Sequence, residues 1–190
     1  MLVAAVTRLA PIRAPWALAG GWALELAYDL VPREHADVDI AIFRDDQQHF
    51  RRAFEGYTCE QVVGGAMRPW SAAMWIAPPI HDLHIRSPAD GRPVDELRMN
   101  ERDASRWVYR RDASVWRAID AAVQMHHGIP VLAREIVLLY KSKAPRPTDQ
   151  ADFKQALPVL SAGAAAWLRE ALELASPGHP WAAALSARDA

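Results

Sequence analysis

The order of apolar and polar positions divides the chain into a mixed first part and a helical second part. Residues 1–12 begin as a short helix that Pro15 cannot extend. Trp16–Ala19 is a short apolar run that meets Gly20-Gly21, and these open a helical stretch over Trp22–Tyr28, with Trp22, Ala23 and Leu26 at helical spacing. Val31-Pro32-Arg33 is a break. Directly after Asp37, the alternation in Val38–Phe43 predicts a strand. Asp45–Phe54 is polar with Phe50 and Phe54 four apart, which predicts a helix. Tyr57–Val63, Ala73–Ile76, His81–Arg86, Val94–Met99 and Trp107–Tyr109 are short strand candidates, separated by turns at Gly64-Gly65, Pro78-Pro79 and Ala89-Asp90-Gly91. The texture changes at Pro130. Val131–Lys143 reads as a helix stopped by Pro145 and Pro147, followed by helices over Asp149–Leu160 and Ala164–Leu174, the last ended by Pro177-Gly178. The expected architecture is a mixed α/β core over residues 1–112 and a C-terminal helical lobe over 113–190.

Composition changes this picture little. With 190 residues the chain can build one good-sized core, or a core and a small lobe. A net charge of -1 gives no broad attraction to nucleic acid or to an acidic membrane, so neither is an expected partner. Arg8, Pro11, Arg13 and Pro15 interrupt the apolar N-terminus, which therefore reads as neither a signal segment nor a membrane span. The single cysteine, Cys59, excludes an internal disulfide and is compatible with a reducing cytoplasm, the expected location. Lys141, Lys143 and Lys154 are the only lysines beside many arginines, and with the Ala richness this is read as base-composition bias.

The chemistry concentrates in Gly20-Gly21-Trp22 and, sixteen residues after Gly21, Asp37-Val38-Asp39-Ile40. On a strand Asp37 and Asp39 share a face, about 7 Å apart at a rise of ~3.3 Å per residue. Two carboxylates on one face of an apolar strand are costly to bury without a counter-ion. Mg²⁺ prefers such oxygen ligands, and phosphoryl chemistry uses it to neutralise charge on the phosphates. Gly20 and Gly21 before a helix let backbone N–H groups approach a phosphate at an electropositive helix start, with Gly21 the expected conformationally special position.

Gly20-Gly21-Trp22-Ala23-Leu24-Glu25 followed by Arg33-Glu34-His35-Ala36-Asp37-Val38-Asp39-Ile40 resembles the motif of the nucleotidyltransferase superfamily, most closely the branch of aminoglycoside and lincosamide antibiotic adenylyltransferases. Residues 16–44 carry the likeness strongly, and Glu135–Lys143, Asp149–Phe153 and Pro177–Trp181 resemble the helical tail of bacterial members of that branch. The resemblance implies a mixed-sheet nucleotidyltransferase core. It also implies Mg²⁺-dependent transfer of a nucleoside monophosphate, with ATP the expected donor, to a hydroxyl of a small-molecule acceptor such as an antibiotic. A third carboxylate on a neighbouring strand is implied too, for which Asp82 is chosen, so that Asp37, Asp39 and Asp82 are the expected ligands of the Mg²⁺. Asp95 and Glu96 are its rivals. Glu96 shares a face with Arg98, so it is either an ion-pair partner or a general base for the acceptor, and it is expected farther from the pair than Asp82.

Around the motif, Arg33 could clamp phosphate oxygens, and His35 could orient Asp37 or touch the nucleotide. Lys141 resembles a position near the nucleotide, with Asp149 and Asp152 placed to hold the tail against it. Lys143 reads as a favourable charge at a helix C-terminus. His81 and His84 are expected on opposite strand faces and His126-His127 in a solvated turn, so no zinc site is expected. Trp167 and Trp181 read as core or interface aromatics. Two other functions remain open: a protein-modifying nucleotidyltransferase that neutralises a toxin, and a degenerate module that only binds nucleotide or protein.

Overall fold

The alternation around Asp39 becomes the strand about which the fold is organised. The computed structural model describes residues 1–28 and 34–188, and the expected break at Val31-Pro32-Arg33 lies outside them. In chain order the elements are α1 (Leu2–Leu9), β1 (Trp16–Leu18), α2 (Gly20–Tyr28), β2 (Val38–Phe43), α3 (Gln47–Ala53), β3 (Thr58–Val63), β4 (Ala66–Pro69), β5 (Asp82–Arg86) and β6 (Pro93–Asp103). There follow β7 (Arg106–Val108), β8 (Trp116–Ala118), α4 (Ile119–Ala122), β9 (Val123–His126), β10 (Ile129–Leu132), α5 (Arg134–Ser142), α6 (Pro147–Ala156), α7 (Ala162–Ala175) and α8 (Pro180–Arg188).

The main sheet runs β4-β3-β5-β6-β2-β1-β10-β9, and β7 and β8 extend from the far end of β6. It is mixed: β2 is parallel to β6 and antiparallel to β1, and β1 is parallel to β10. The protein is thus of the mixed α/β class. Ile40, Ile42, Leu97 and Met99 lie on one face of β2 and β6 and are buried, because alternate residues of paired strands point the same way. Trp107 and Tyr140 tie β7 and α5 to this centre: both donate to the Asn100 Oδ1, at 2.8 and 3.1 Å.

The strand expected at Ala73–Ile76 is a loop. Side chains satisfy its backbone in place of a ladder: the Ile76 N–H donates to Gln47 Oε1 at 2.7 Å, and its carbonyl accepts from Arg44 and Gln47. The helix expected from Val131 begins at Arg134, because Val131 and Leu132 are apolar strand residues that find partners in β1 and β9. β4, β8, α4, β9, β10 and α8 were not expected. The boundary expected between residues 112 and 113 therefore has sheet strands on both sides of it. Gly64 and Gly65, with φ of +57° and +79°, make the turn from β3 to β4. Trp181 is buried and stacks on Phe153 at 4.2 Å, and Trp167 meets Trp107 edge to face at 6.4 Å, so both are packing residues. Among the described residues no helix is long and apolar enough to cross a membrane.

Candidate active site

The Gly-Gly segment and the acidic strand meet through the backbone. The Ala19 N–H donates to the Asp39 carbonyl at 2.8 Å, and the chain then turns into α2 at Gly20, whose φ is +59°. A Cβ on Gly20 would stand 1.9 Å from Asp39 Oδ2 and 2.7 Å from Asp39 Cγ. The conformational demand therefore falls on Gly20, and what requires glycine there is the Asp39 carboxylate lying against it. Gly21 is a buried residue within the helix. The chain entering β2 is braced by α2. Trp22 Nε1 donates to the Asp37 carbonyl at 3.2 Å, His35 stacks on the Trp22 indole at 4.3 Å, and His35 Nε2 lies 2.8 Å from Glu25 Oε1. His35 thus reaches the helix and positions the loop that ends in Asp37. Arg33 lies outside the described residues.

Asp37 is the last residue before β2, and Asp39 is its second residue. The register sets Asp39 beside Glu96 on β6 and Asp82 of β5 beside Arg98. Asp39, Glu96, Arg98 and Asp82 accordingly share one face of the sheet. Arg98 is the hub: its Nε donates to Asp39 Oδ1 at 2.7 Å, its Nη1 lies 3.1 Å from Asp82 Oδ1, and its Nη2 contacts Glu96 Oε2. Glu96 also meets His84 Nδ1 at 3.0 Å. The expected place of Asp82 on the strand next to β2 does not hold. β6 lies between β5 and β2, so Glu96 is one strand from Asp39 and Asp82 is two. Asp95 is on the opposite face, fully buried, with Arg8 of α1 at 2.6 Å, and is no candidate for the site. His81 lies against Arg44, 2.7 Å away.

Charge is uneven here. Burial pushes the Glu96 carboxyl up, Arg98 pulls it part of the way back, and the Asp37 and Asp39 charges push it up again. Burial would raise Asp82 as well, but Arg98 and Arg110 outweigh it and hold its carboxyl below the usual range. Burial disfavours the Arg98 cation, yet Asp39, Glu96 and Asp82 more than restore it. Among the described residues no three acidic, imidazole or thiol side chains converge as a ready-made metal cluster, because Arg98 stands between the acids. The donor chemistry still fits a hard divalent ion at Asp37 and Asp39. Mg²⁺ is commonly held by one or two carboxylates, with water and substrate phosphates completing its shell. Asp37, Asp39 and Glu96 outnumber the one guanidinium, Arg98, among them, which favours such an ion.

A cavity of about 330 Å³ opens from Gly20, Asp39 and Asp82 toward α5 and the start of α6. Lys141 lines it, but its Nζ is 2.6 Å from Asp149 Oδ1 and 2.9 Å from Asp152 Oδ2. The tail acids hold this lysine as the sequence suggested. Burial would raise Asp149, but hydrogen bonds from Arg146 and Lys141 drive its carboxyl far below the usual range. Arg110, Arg111 and Arg146 also line the cavity and were missed. In an arginine-rich chain no local signal separates them from surface cations.

Solved structures of similar fold are nucleotidyltransferases. The lincosamide antibiotic adenylyltransferase LnuA, lincomycin-bound, superposes with a TM-score of 0.58 at 17% identity over 84% of this chain and 96% of its own. The antibiotic-resistance factor ANT(2'')-Ia in solution gives 0.55 at 14% identity over 90% and 89%. ANT(2'')-Ia in complex with adenylyl-2''-tobramycin gives 0.52 at 15% over 97% and 94%. No curated protein sequence matches the chain significantly. The family model for aminoglycoside-2''-adenylyltransferase matches residues 1–156, and the chain belongs to that family. It is by class a nucleotidyltransferase.

Proposed function

We propose that the protein transfers a nucleoside monophosphate, with ATP the expected donor, to a hydroxyl of a small molecule held in the cavity beside Asp39. The observation that carries this reading is the fit of the Asp39 carboxylate against Gly20, which aims an acid at the start of α2 where a triphosphate would lie. The family description and the lincomycin and tobramycin of similar structures support a small-molecule acceptor.

Asp37 and Asp39 would hold Mg²⁺, which when bound neutralises phosphate charge and assists departure of pyrophosphate. The residues of the chain do the rest. The N–H groups at the start of α2 face the phosphates. Glu96, next to Asp39 and with its carboxyl pushed up by burial, is suited to take the proton of the acceptor hydroxyl. Arg98 bridges Asp82 and Glu96 and fixes the direction of Asp39. Asp82 lines the cavity on the far side of Arg98 and faces the acceptor.

The test is pyrophosphate release with each nucleoside triphosphate and Mg²⁺ against a panel of hydroxylated antibiotics and metabolites. Asp39→Asn should melt cooperatively near wild type and lose the metal-dependent release. Release by that variant at the wild-type rate, with the same Mg²⁺ requirement, would refute the assignment.

A further inference from the structure

The charge of the cavity wall is unlike that of the whole chain. The chain is nearly neutral, yet Arg98, Arg110, Arg111, Lys141, Lys143 and Arg146 line the cavity against only three acids, Asp39, Asp82 and Asp149. Each of those acids already contacts a cation of the chain. Asp39 has Arg98 at 2.7 Å, Asp82 has Arg98 at 3.1 Å, and Asp149 has Lys141 at 2.6 Å and Arg146 at 2.9 Å. The reverse does not hold. Among the described residues neither Arg111 nor Lys143 contacts an acid, and both are exposed. The Arg111 guanidinium lies over the Tyr109 and Tyr140 rings at 5.7 and 5.5 Å, with its Nη1 donating to the Tyr109 hydroxyl at 2.9 Å. It is therefore a planar cation held in place by neutral groups, with donors left to offer.

Recognition of a ligand with several ammonium groups needs unpaired acids, and on the side of the cavity formed by the β7–β8 connection, α5 and the start of α6 the lining holds only Asp149, which Lys141 and Arg146 already engage. Resting on the transfer reading above, we infer that the acceptor is not a polycation of the aminoglycoside kind but carries an acidic group, a carboxylate or a phosphate, bound by Arg111 and Lys143. The specificity of this member then departs from the acceptor its family is named for, through the charge of side chains on β6, the β7–β8 connection and the end of α5.

Calorimetric titration of the full chain tests this, with inorganic phosphate as the anion probe, tobramycin as the polycation probe, and α,β-methylene-ATP with Mg²⁺ holding the donor place. Phosphate should bind equally well with and without the donor analogue. Arg111→Gln/Lys143→Gln should weaken phosphate binding by about tenfold or more, the loss expected for two charge-assisted contacts, and leave the affinity for the analogue unchanged. Tobramycin should give no binding heat. Competition between phosphate and the analogue would assign these cations to the donor and overturn the inference, as would tobramycin binding to the wild type. Lys143→Gln alone, at an exposed position, serves if the double variant does not fold. A wild-type protein that binds phosphate but not the analogue would sink the transfer reading and leave the anion site standing.

Discussion

Gly20→Ala isolates the contact on which the site depends, because Gly64 supplies an internal control. Both glycines have nearly the same backbone, φ +59° at Gly20 and +57° at Gly64. A side chain in that region costs roughly 1–2 kcal/mol, which for a chain of this size lowers the melting temperature by roughly 2–8 °C. At Gly64 nothing lies within 4 Å of the added Cβ, so Gly64→Ala should show that loss and nothing else. At Gly20 the added Cβ starts 1.9 Å from Asp39 Oδ2 and must reach at least 3.0 Å, so the carboxylate has to move by about 1 Å or rotate away. That motion also breaks its 2.7 Å hydrogen bond from Arg98. Loss of support behind a metal ligand costs about 10–100-fold in metal affinity, and a 1 Å misplacement costs about 100-fold in rate. Calorimetric titration with Mg²⁺ and α,β-methylene-ATP, run beside thermal melts, separates the two effects. Gly20→Ala should lose affinity well beyond Gly64→Ala at comparable stability. If both variants bind the metal–nucleotide pair like wild type, Asp39 is not a ligand that Gly20 makes room for, and the reasoning fails.

Three further outcomes follow from the same geometry. Glu96→Gln should lower transfer by about 100-fold or more. In the wild type the acid limb of the rate profile should lie above the ordinary glutamate range, since burial and the Asp37 and Asp39 charges raise this carboxyl, so activity falls as pH drops through that raised value. An unchanged profile in Glu96→Gln would remove it from the mechanism. Arg8→Met should cost about 3 kcal/mol by leaving Asp95 buried without a cation. Burial already raises the Asp95 carboxyl, and without Arg8 the folded state binds its proton more tightly still. The deficit should therefore shrink as pH falls through that raised value, and a pH-independent deficit in denaturant melts would contradict the pairing. Asp149→Asn should cost about 2–4 kcal/mol at neutral pH, because a buried partner of Lys141 and Arg146 is lost. The Asp149 carboxyl is depressed in the fold, so the wild-type advantage is present above the ordinary aspartate value and disappears as pH falls toward the depressed one.

Much of the fold near the site is legible in the sequence because local and long-range preferences agree there. Val38–Phe43 alternates and sits at the sheet centre, and its ends are those read from the pattern. Agreement fails where a partner decides. Val131-Leu132 continues a helical pattern, yet β1 and β9 offer it ladder partners, and the helix waits until Arg134. Ala73–Ile76 has strand composition but meets Gln47 and Arg44 in place of a strand. The acids show the same limit. Period two puts Glu96 and Arg98 on one face and Asp95 on the other, and this could be read in advance. Whether β5 or β6 borders β2 is a matter of strand order, which no window of sequence contains, and so the expectation that Asp82 stands on the strand beside β2 fails.

Adjacent residues Asp95 and Glu96 show how one strand separates stability from chemistry. Both are acids beside β2 and both are pushed up by burial. Asp95 points to the face covered by α1 and has one dedicated cation in Arg8, so its charge is matched and it can only hold the helix to the sheet. Glu96 points to the cavity face and shares Arg98 with Asp39 and Asp82. Arg110 adds a second cation only at Asp82, so one guanidinium is left to Asp39 and Glu96 together with Asp37, and the low local dielectric makes the remainder expensive. The shortfall raises the proton affinity of Glu96, and on the reading proposed above a divalent ion at Asp37 and Asp39 would relieve it. The two are linked: an ion that offsets the Asp37 and Asp39 charges would remove part of what raises Glu96 and lower its proton affinity. Metal binding should then release a proton, and buffer-dependent titration heats that show none would break the link between the acid pair and Glu96.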